Sequence, residues 1–296
     1  MSCTRASVLR IDLFVIPSRN SNMPEGPEIK RAADAISQVL EGKTIESATL
    51  EHPSLKGMEK YIVGHTVTGI ETRGKALLTH FSSNKTMYSH NQLYGVWKVT
   101  AKGKMPRTNR ALRLGLHTND HSALLYSSTD ISLWDTNNVN EHPFLVRLGP
   151  DLLADGLTAE DLTARLANPE FENRRLAALY LDQKFIAGVG NYLRSEILFF
   201  AGVNPLVKPK ALHLKAKKRL ARNTLTIGQR SYRTDGITLP KRLVRKNSKR
   251  GGRYYERDRF AVFARAGKPC RMCRTPVQKA VLASRRIYWC PTCQAD

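Results

Sequence analysis

The sequence predicts an α+β chain in two lobes: an N-terminal β-sandwich flanked by helices, then a helical lobe that ends in a β-hairpin around four cysteines. Three observations predict it. Short, partly alternating apolar runs separated by Gly, Asn and Ser turns occupy the stretch from Thr44 to Tyr126. Helical spacing replaces them from Thr158 to about Thr226. Two tight cysteine pairs then punctuate the C-terminal region.

Each element has its own signal. In residues 1–22, Arg5, Arg10 and Arg19 flank the apolar run Ile11 to Ile16, which Asp12 interrupts, a poor signal-peptide core and a weak transit-peptide match. They are expected to be a start-site artefact or removed leader on a domain that begins at Met23. Pro27 suits a first helical turn and Glu28 the positive end of the helix dipole. Ile29, Ala32, Ala33, Ile36, Val39 and Leu40 continue at helical spacing until Gly42. Strands are expected at Thr66–Glu71, Ala76–Phe81, Gly95–Val99, Leu112–Leu116 and Ala123–Tyr126, which makes 23–147 the sandwich domain. The strands stop between His142 and Asp151, so 148–157 reads as a linker. A helical domain with a basic segment follows over 158–258, with the Gly188-Val189-Gly190 turn opening a helix from Asn191 to Phe200. Residues 259–296 read as strand–turn–strand, with Ala283-Ser284-Arg285-Arg286 at the tip.

Composition narrows the class. The chain has 296 residues, 41% apolar, enough to bury one large core or two modest ones. No run of 18 or more apolar residues exists, which excludes a membrane-spanning helix of that kind. The charge is the outlier, 48 Lys and Arg against 25 acids for a net +23, and it points to a polyanionic partner. Most of the excess lies between Val207 and Arg257, where 17 basic residues face two acids, Asp235 and Glu256. Basic runs are often solvated linkers, but Leu214, Leu220, Leu225, Ile227 and Leu243 interleave this one, and nucleic acid is the favoured partner.

Of five cysteines, four form Cys270-Arg-Met-Cys273 and Cys290-Pro-Thr-Cys293. Two such pairs can set four thiolates around one structural Zn²⁺ and leave no open coordination position. Two disulfides are the alternative, and a secretory context for them is lacking. Cys3 stands apart.

Five ordered motifs carry a resemblance: Met23-Pro24-Glu25-Gly26-Pro27-Glu28, Glu71 to Leu78, Ser89 to Gly95, Gly188 to Arg194, and the terminal cysteine pairs. From Met23 to about Gln294 the chain resembles the formamidopyrimidine-DNA glycosylase/endonuclease VIII family, and Gly26 with Gln92-Leu93-Tyr94 tips it toward the branch acting on oxidised pyrimidines. The resemblance implies a bifunctional DNA glycosylase/AP lyase of base-excision repair, with a helix-two-turn-helix domain and a zinc finger. Pro24 would be the nucleophile, since a free secondary amine of pKa about 8 is partly neutral near pH 7. Glu25 would protonate the opening sugar ring, while Glu28 either assists or caps the helix. Lys75 would contact the lesion phosphate and donate a proton in β-elimination, and Arg285 would do so in δ-elimination. Arg286 stands where close relatives carry proline and is able to share that role. Damaged double-stranded DNA would be met by Arg147 and Asn191, the latter alongside the helix-terminal amides at Gly190. Gln92, Leu93 and Tyr94 would fill the gap left by the flipped nucleotide. Outside such motifs, Pro24 reads as a rigid helix entry, Lys75 as a solvated lysine and Gln92-Leu93-Tyr94 as a strand end.

One departure matters. After Met23, the Pro24 nitrogen is a tertiary amide that cannot form an iminium. The working chain is therefore expected to begin at Pro24. A formamidopyrimidine-type enzyme for oxidised purines and a non-catalytic zinc-containing nucleic-acid-binding protein are the competing readings. A monomer at the bacterial nucleoid, in the cytoplasm, completes the expectation.

Overall fold

The computed structural model describes residues 24–244, 249–250, 253–254, 256–282 and 284–295, so the extension 1–22 and parts of the basic run lie outside the described residues. By their contacts the described residues divide into two units, and the division does not follow chain order. One holds 32–70 and 78–136; the other holds 24–31, 71–77 and 137–295.

The first unit is the sandwich. Its two four-stranded sheets are built from β1 (Ser47–Leu50), β2 (Val67–Arg73), β3 (Ala76–Phe81), β4 (Lys85–His90), β5 (Val96–Ala101), β6 (Leu112–His117), β7 (His121–Tyr126) and β8 (Asp130–Asp135). The orders are β1-β6-β7-β5 and β2-β3-β4-β8. The pairings β1–β6, β6–β7, β5–β7 and β4–β8 are antiparallel. Phe81, Met87, Trp97, Val99, Leu116, Leu124 and Ile131 are among the core side chains. Burying such apolar side chains is the main favourable term holding the layers together. Helix α1 (Gly26–Leu40) adds Ala32, Ala33, Ile36, Val39 and Leu40 to the buried set.

Strands β1, β4 and β8 were not expected. In β4 the reason is that polar residues are buried and paired. Thr86 Oγ1 lies 2.8 Å from His80 Nδ1 and 2.9 Å from Thr136 Oγ1, so a Lys-Thr-Met-Tyr-Ser-His strand crosses the core without an orphaned hydroxyl at Thr86.

The second unit contains α2 (Ala159–Ala167), α3 (Leu176–Leu179), α4 (Asn191–Ala201), α5 (Leu214–Arg233), α6 (Glu256–Arg259) and two short strands, β9 (Lys249–Arg250) and β10 (Arg253–Tyr254). Helix α2 begins with a capping box between Thr158 and Asp161. Helix α4 is buried almost all round, from Tyr192 to Phe199 and at Ala201, so it has no amphipathic stripe. Its one carboxylate, Glu196, is fully buried yet satisfied. It accepts from the Ala261, Val262 and Phe263 amides at 2.8–2.9 Å and from the Thr238 hydroxyl at 2.5 Å. That cluster pins the segment leading into the cysteine module. Within 148–157, Leu152 is buried and its amide donates to the Ala187 carbonyl at 3.0 Å.

The terminal hairpin is β11 (Gln278–Leu282) and β12 (Arg285–Trp289), with Leu282 opposite Arg285. This corrects the expected tip: Arg285 and Arg286 open strand β12 rather than occupy the turn. Ser284, at φ 59°, supplies the left-handed residue that a turn this short requires.

Candidate active site

Three segments far apart in sequence, 24–31, 71–77 and the turn before α4, come together within the second unit. Their junction is glycine against glycine. The Gly26 amide donates to the Gly188 carbonyl at 2.8 Å, and a Cβ on Gly26 would stand 3.1 Å from Gly188 Cα.

This contact delivers Glu25 to the N-terminus of α4. Its carboxylate accepts from the amides of Gly190 at 2.8 Å, Tyr192 at 2.8 Å and Leu193 at 3.2 Å. A Cβ on Gly190 would lie 2.5 Å from Glu25 Cδ, so only glycine admits the carboxylate. The arrangement corrects one expectation. The amides at Gly190, Tyr192 and Leu193 do not await a phosphate, because a carboxyl group from within the chain already takes the positive end of the helix.

Glu25 is 2% exposed. Burial pushes its carboxyl up from 4.5 to about 7; Lys75 pulls the other way, the Glu28 charge raises it further, and the Tyr192 and Leu193 amides oppose. A carboxyl in that range holds its proton for much of the time at neutral pH. Pro24, directly before it, is half-buried.

Of the two roles left open by the sequence, the geometry shows Glu28 in the capping one. Its Oε2 accepts from the Glu25 amide at 3.2 Å, as a helix-start cap does, and both its oxygens accept from the Tyr192 hydroxyl at 3.0–3.1 Å. Arg31 at 3.2 Å and Arg259 at 3.6 Å pair with it. Tyr192 thus binds both carboxylates, one through its amide and one through its hydroxyl.

Lys75 sits on the turn between β2 and β3 and is buried. Among the described residues it makes no ion pair or hydrogen bond, and burial pushes its ammonium down, with Glu25 opposing and Arg285 pushing further down. Asp151 fixes that turn by accepting from the Gly74 amide at 2.5 Å and the Leu153 amide at 2.7 Å. Arg285 is exposed on β12. Its strand is tied to α4 by the buried Arg194, which donates to the Arg286 carbonyl at 3.0 Å and to Asn191 Oδ1 at 2.9 Å. Asn191 therefore presents its Nδ2 as donor.

The remaining expected residues stand on other elements. Arg147 is exposed, its Nε donating to the Pro143 carbonyl at 2.7 Å. In the first unit Gln92, at φ 51°, opens the turn after β4, and its Nε2 donates to Asp130 at 3.2 Å. Leu93 and Tyr94 beside it are 41% and 64% exposed, large apolar surfaces with no core to fill, and Arg110 donates to the Tyr94 carbonyl at 2.5 Å.

Sequence reasoning missed Asp151, Tyr192, Arg194 and Glu196 as site-builders. Tyr192 and Arg194 stood inside a quoted motif, but nothing local marks a tyrosine or arginine as buried. Asp151 followed Gly-Pro and read as linker.

The four cysteines fit a metal. Their Sγ atoms all lie within 4.8 Å of one another, with Cys273–Cys290 at 3.3 Å and Cys270–Cys293 at 3.9 Å, and none is in a disulfide. A tetrahedral zinc with sulfurs at about 2.3 Å sets them about 3.8 Å apart, so Cys270, Cys273, Cys290 and Cys293 surround a zinc-sized centre at the base of the hairpin.

Comparison with known proteins agrees along the chain. Residues 23–130 match the formamidopyrimidine-DNA glycosylase N-terminal domain, 148–242 its H2TH domain, and 267–295 the zinc finger found in FPG and IleRS. Endonuclease 8 of Shigella sonnei is 47% identical over 272 residues, 92% of this chain and all of that protein. Endonuclease 8 of Escherichia coli K12 is 46% identical over the same span. Among solved structures, the complex of Lactococcus lactis Fpg with DNA containing an abasic site superposes with a TM-score of 0.76 at 21% identity, covering 92% of this chain and all of that one.

Proposed function

The chain belongs to the formamidopyrimidine-DNA glycosylase/endonuclease VIII family, and from that premise we propose how its own residues carry out the family's reaction. It is a bifunctional DNA glycosylase/AP lyase of base-excision repair, acting on oxidised pyrimidines in damaged duplex DNA. The observation that carries the mechanism is the buried Glu25 carboxyl, lifted to about 7 and adjacent in sequence to Pro24.

Glu25 donates a proton to the sugar-ring oxygen as the Pro24 nitrogen bonds to C1′. The bonds from C1′ to the ring oxygen and to the damaged base break, the base leaves with its electron pair and takes up the proton lost by the Pro24 nitrogen, and an iminium links Pro24 to the opened sugar. The iminium acidifies the C2′–H bond; loss of that proton expels the 3′ phosphate in β-elimination. Lys75, buried beside Glu25, binds the lesion phosphate and passes a proton. Arg285 assists the second, δ-elimination that expels the 5′ phosphate, and Arg286 shares its strand. Gln92, Leu93 and Tyr94 refill the stack, while Asn191 Nδ2 and Arg147 contact phosphates. Zinc, held by the four cysteines, is structural: it fixes the base of the hairpin that carries Arg285.

The mechanism requires Pro24 to be the first residue. The match to the N-terminal domain begins at 23, and the whole of each relative aligns with 272 residues of this chain, which supports initiation at Met23 followed by its removal. We assign the working form as a monomer in the bacterial cytoplasm, at the nucleoid.

Borohydride trapping on abasic duplex tests the assignment. Protein beginning at Pro24 should be captured covalently, and Pro24→Gly, which keeps only a primary amine, should be captured less. Failure of zinc-loaded, trimmed protein to cross-link would overturn the mechanism. Excision from thymine glycol duplex should exceed excision from 8-oxoguanine duplex.

A further inference from the structure

Helix α5 carries seven basic residues and no acid in its 20 residues. Its inner face is fixed by packing. Ala216, Leu220, Ala221, Thr224, Ile227, Gly228 and Ser231 are buried, and Ser231 Oγ lies 2.8 Å from the Tyr192 hydroxyl that holds Glu28. Glu25 and Glu28, both bound by Tyr192, are therefore on the inner side of this helix.

The outer face is different. Lys215, Lys218, Arg222 and Arg233 are exposed and fall on the same side of a 3.6-residue helix, opposite the buried set. Among the described residues none of the four has a carboxylate partner. Three features make this face electrostatically unfavourable by itself. The first turn contains no acid, and Lys215, Lys217 and Lys218 crowd the positive end of the helix dipole. Lys215 and Lys218 are three residues apart, Lys218 and Arg222 four, so like charges repel along the stripe. Lys215 and Lys218 oppose the helix they stand on, and an external polyanion would offset them.

We propose that the outer face of α5 is a second duplex-binding surface, which captures the phosphate backbone of another DNA segment while the first is held at the catalytic cluster. The stripe from Lys215 to Arg233 runs about 27 Å at about 1.5 Å per residue. That length spans about eight base pairs at about 3.4 Å each. Because the stripe faces away from Glu25 and Glu28, its phosphates belong to a different segment from the one being repaired. The consequence is direct transfer between segments during the search for damage. The inference rests on the assignment of DNA as partner.

The test uses a labelled undamaged duplex and an unlabelled undamaged duplex as competitor. Dissociation of the labelled duplex from the full protein should accelerate as competitor concentration rises, because both are bound transiently. The combined variant Lys215→Gln, Lys218→Gln, Arg222→Gln should dissociate at a rate independent of competitor, with a salt slope for transfer reduced by about 2.7 for three lost cations. Arg222→Lys, which keeps the charge, should behave as the parent and shows that the fold is not at issue. A competitor-independent parent, or a variant that retains the dependence, overturns the proposal. A reduced salt slope with the dependence intact also overturns it, by placing the stripe on the same duplex. Borohydride trapping of the parent reports separately on the catalytic assignment.

Discussion

At the scale of the residue, Glu25 is where opposing effects are decided. Three backbone amides favour its anion and Lys75 does too, yet burial prevails and lifts the carboxyl to about 7. Base excision should therefore weaken as pH rises through about 7, while the Pro24 amine, with an ordinary pKa of about 8, limits the acid side. Glu25→Gln should slow release of an oxidised pyrimidine by about 10²- to 10⁴-fold in single-turnover assays and lose the alkaline decline. The same shift has a stability sign. The folded carboxyl titrates near 7 against 4.5 ordinarily, so the folded chain keeps a proton that the unfolded chain has released. That contribution is fully present below 4.5 and is lost as pH rises through 7. Melting temperatures of Glu25→Gln minus those of the parent should rise across that window. Gly190→Ala tests the packing that sets the shift. Its methyl group would stand 2.5 Å from Glu25 Cδ, and overpacking of this kind costs about 1–3 kcal/mol, readable by urea unfolding, with loss of excision.

At the scale of the element, the C-terminal hairpin owes its orientation to two clamps. Zinc between the cysteine pairs closes its base, and Arg194 ties the Arg286 carbonyl to α4. Removing the metal with a chelator, or by Cys273→Ser, should shift products on abasic duplex from δ- toward β-elimination, as Arg285 loses its support while Pro24 and Lys75 keep theirs. A product ratio unchanged in metal-free protein would separate Arg285 from the second elimination. The elements also show what a sequence reveals. Strands β2, β3, β5, β6 and β7 were legible because their apolar residues bounded by turns leave a local pattern. Strand β4 was not, because its buried Thr86 is satisfied in part by Thr136, far off in sequence.

At the scale of the molecule, a net charge of +23 sets the interaction with DNA. Neutralising Lys241, Arg242, Arg245 and Lys246 with Gln should flatten the salt dependence of undamaged-duplex binding by about 3.6, at about 0.9 per phosphate contact. An unaltered slope would remove this segment from the interface. No described helix is long and apolar enough to cross a membrane. The sequence by itself determined the layered α+β plan and the four metal ligands, since each rests on side-chain type and spacing along the chain; the reacting residues were named through a family resemblance. Only the tertiary structure decided what those residues can do. It brought segments 24–31 and 71–77 to the head of α4, gave the helix-terminal amides to Glu25 instead of a phosphate, and set Arg285 on a strand. The physical reason is that proton affinity depends on burial and on neighbouring charge, and both are properties of space that no local stretch of sequence encodes.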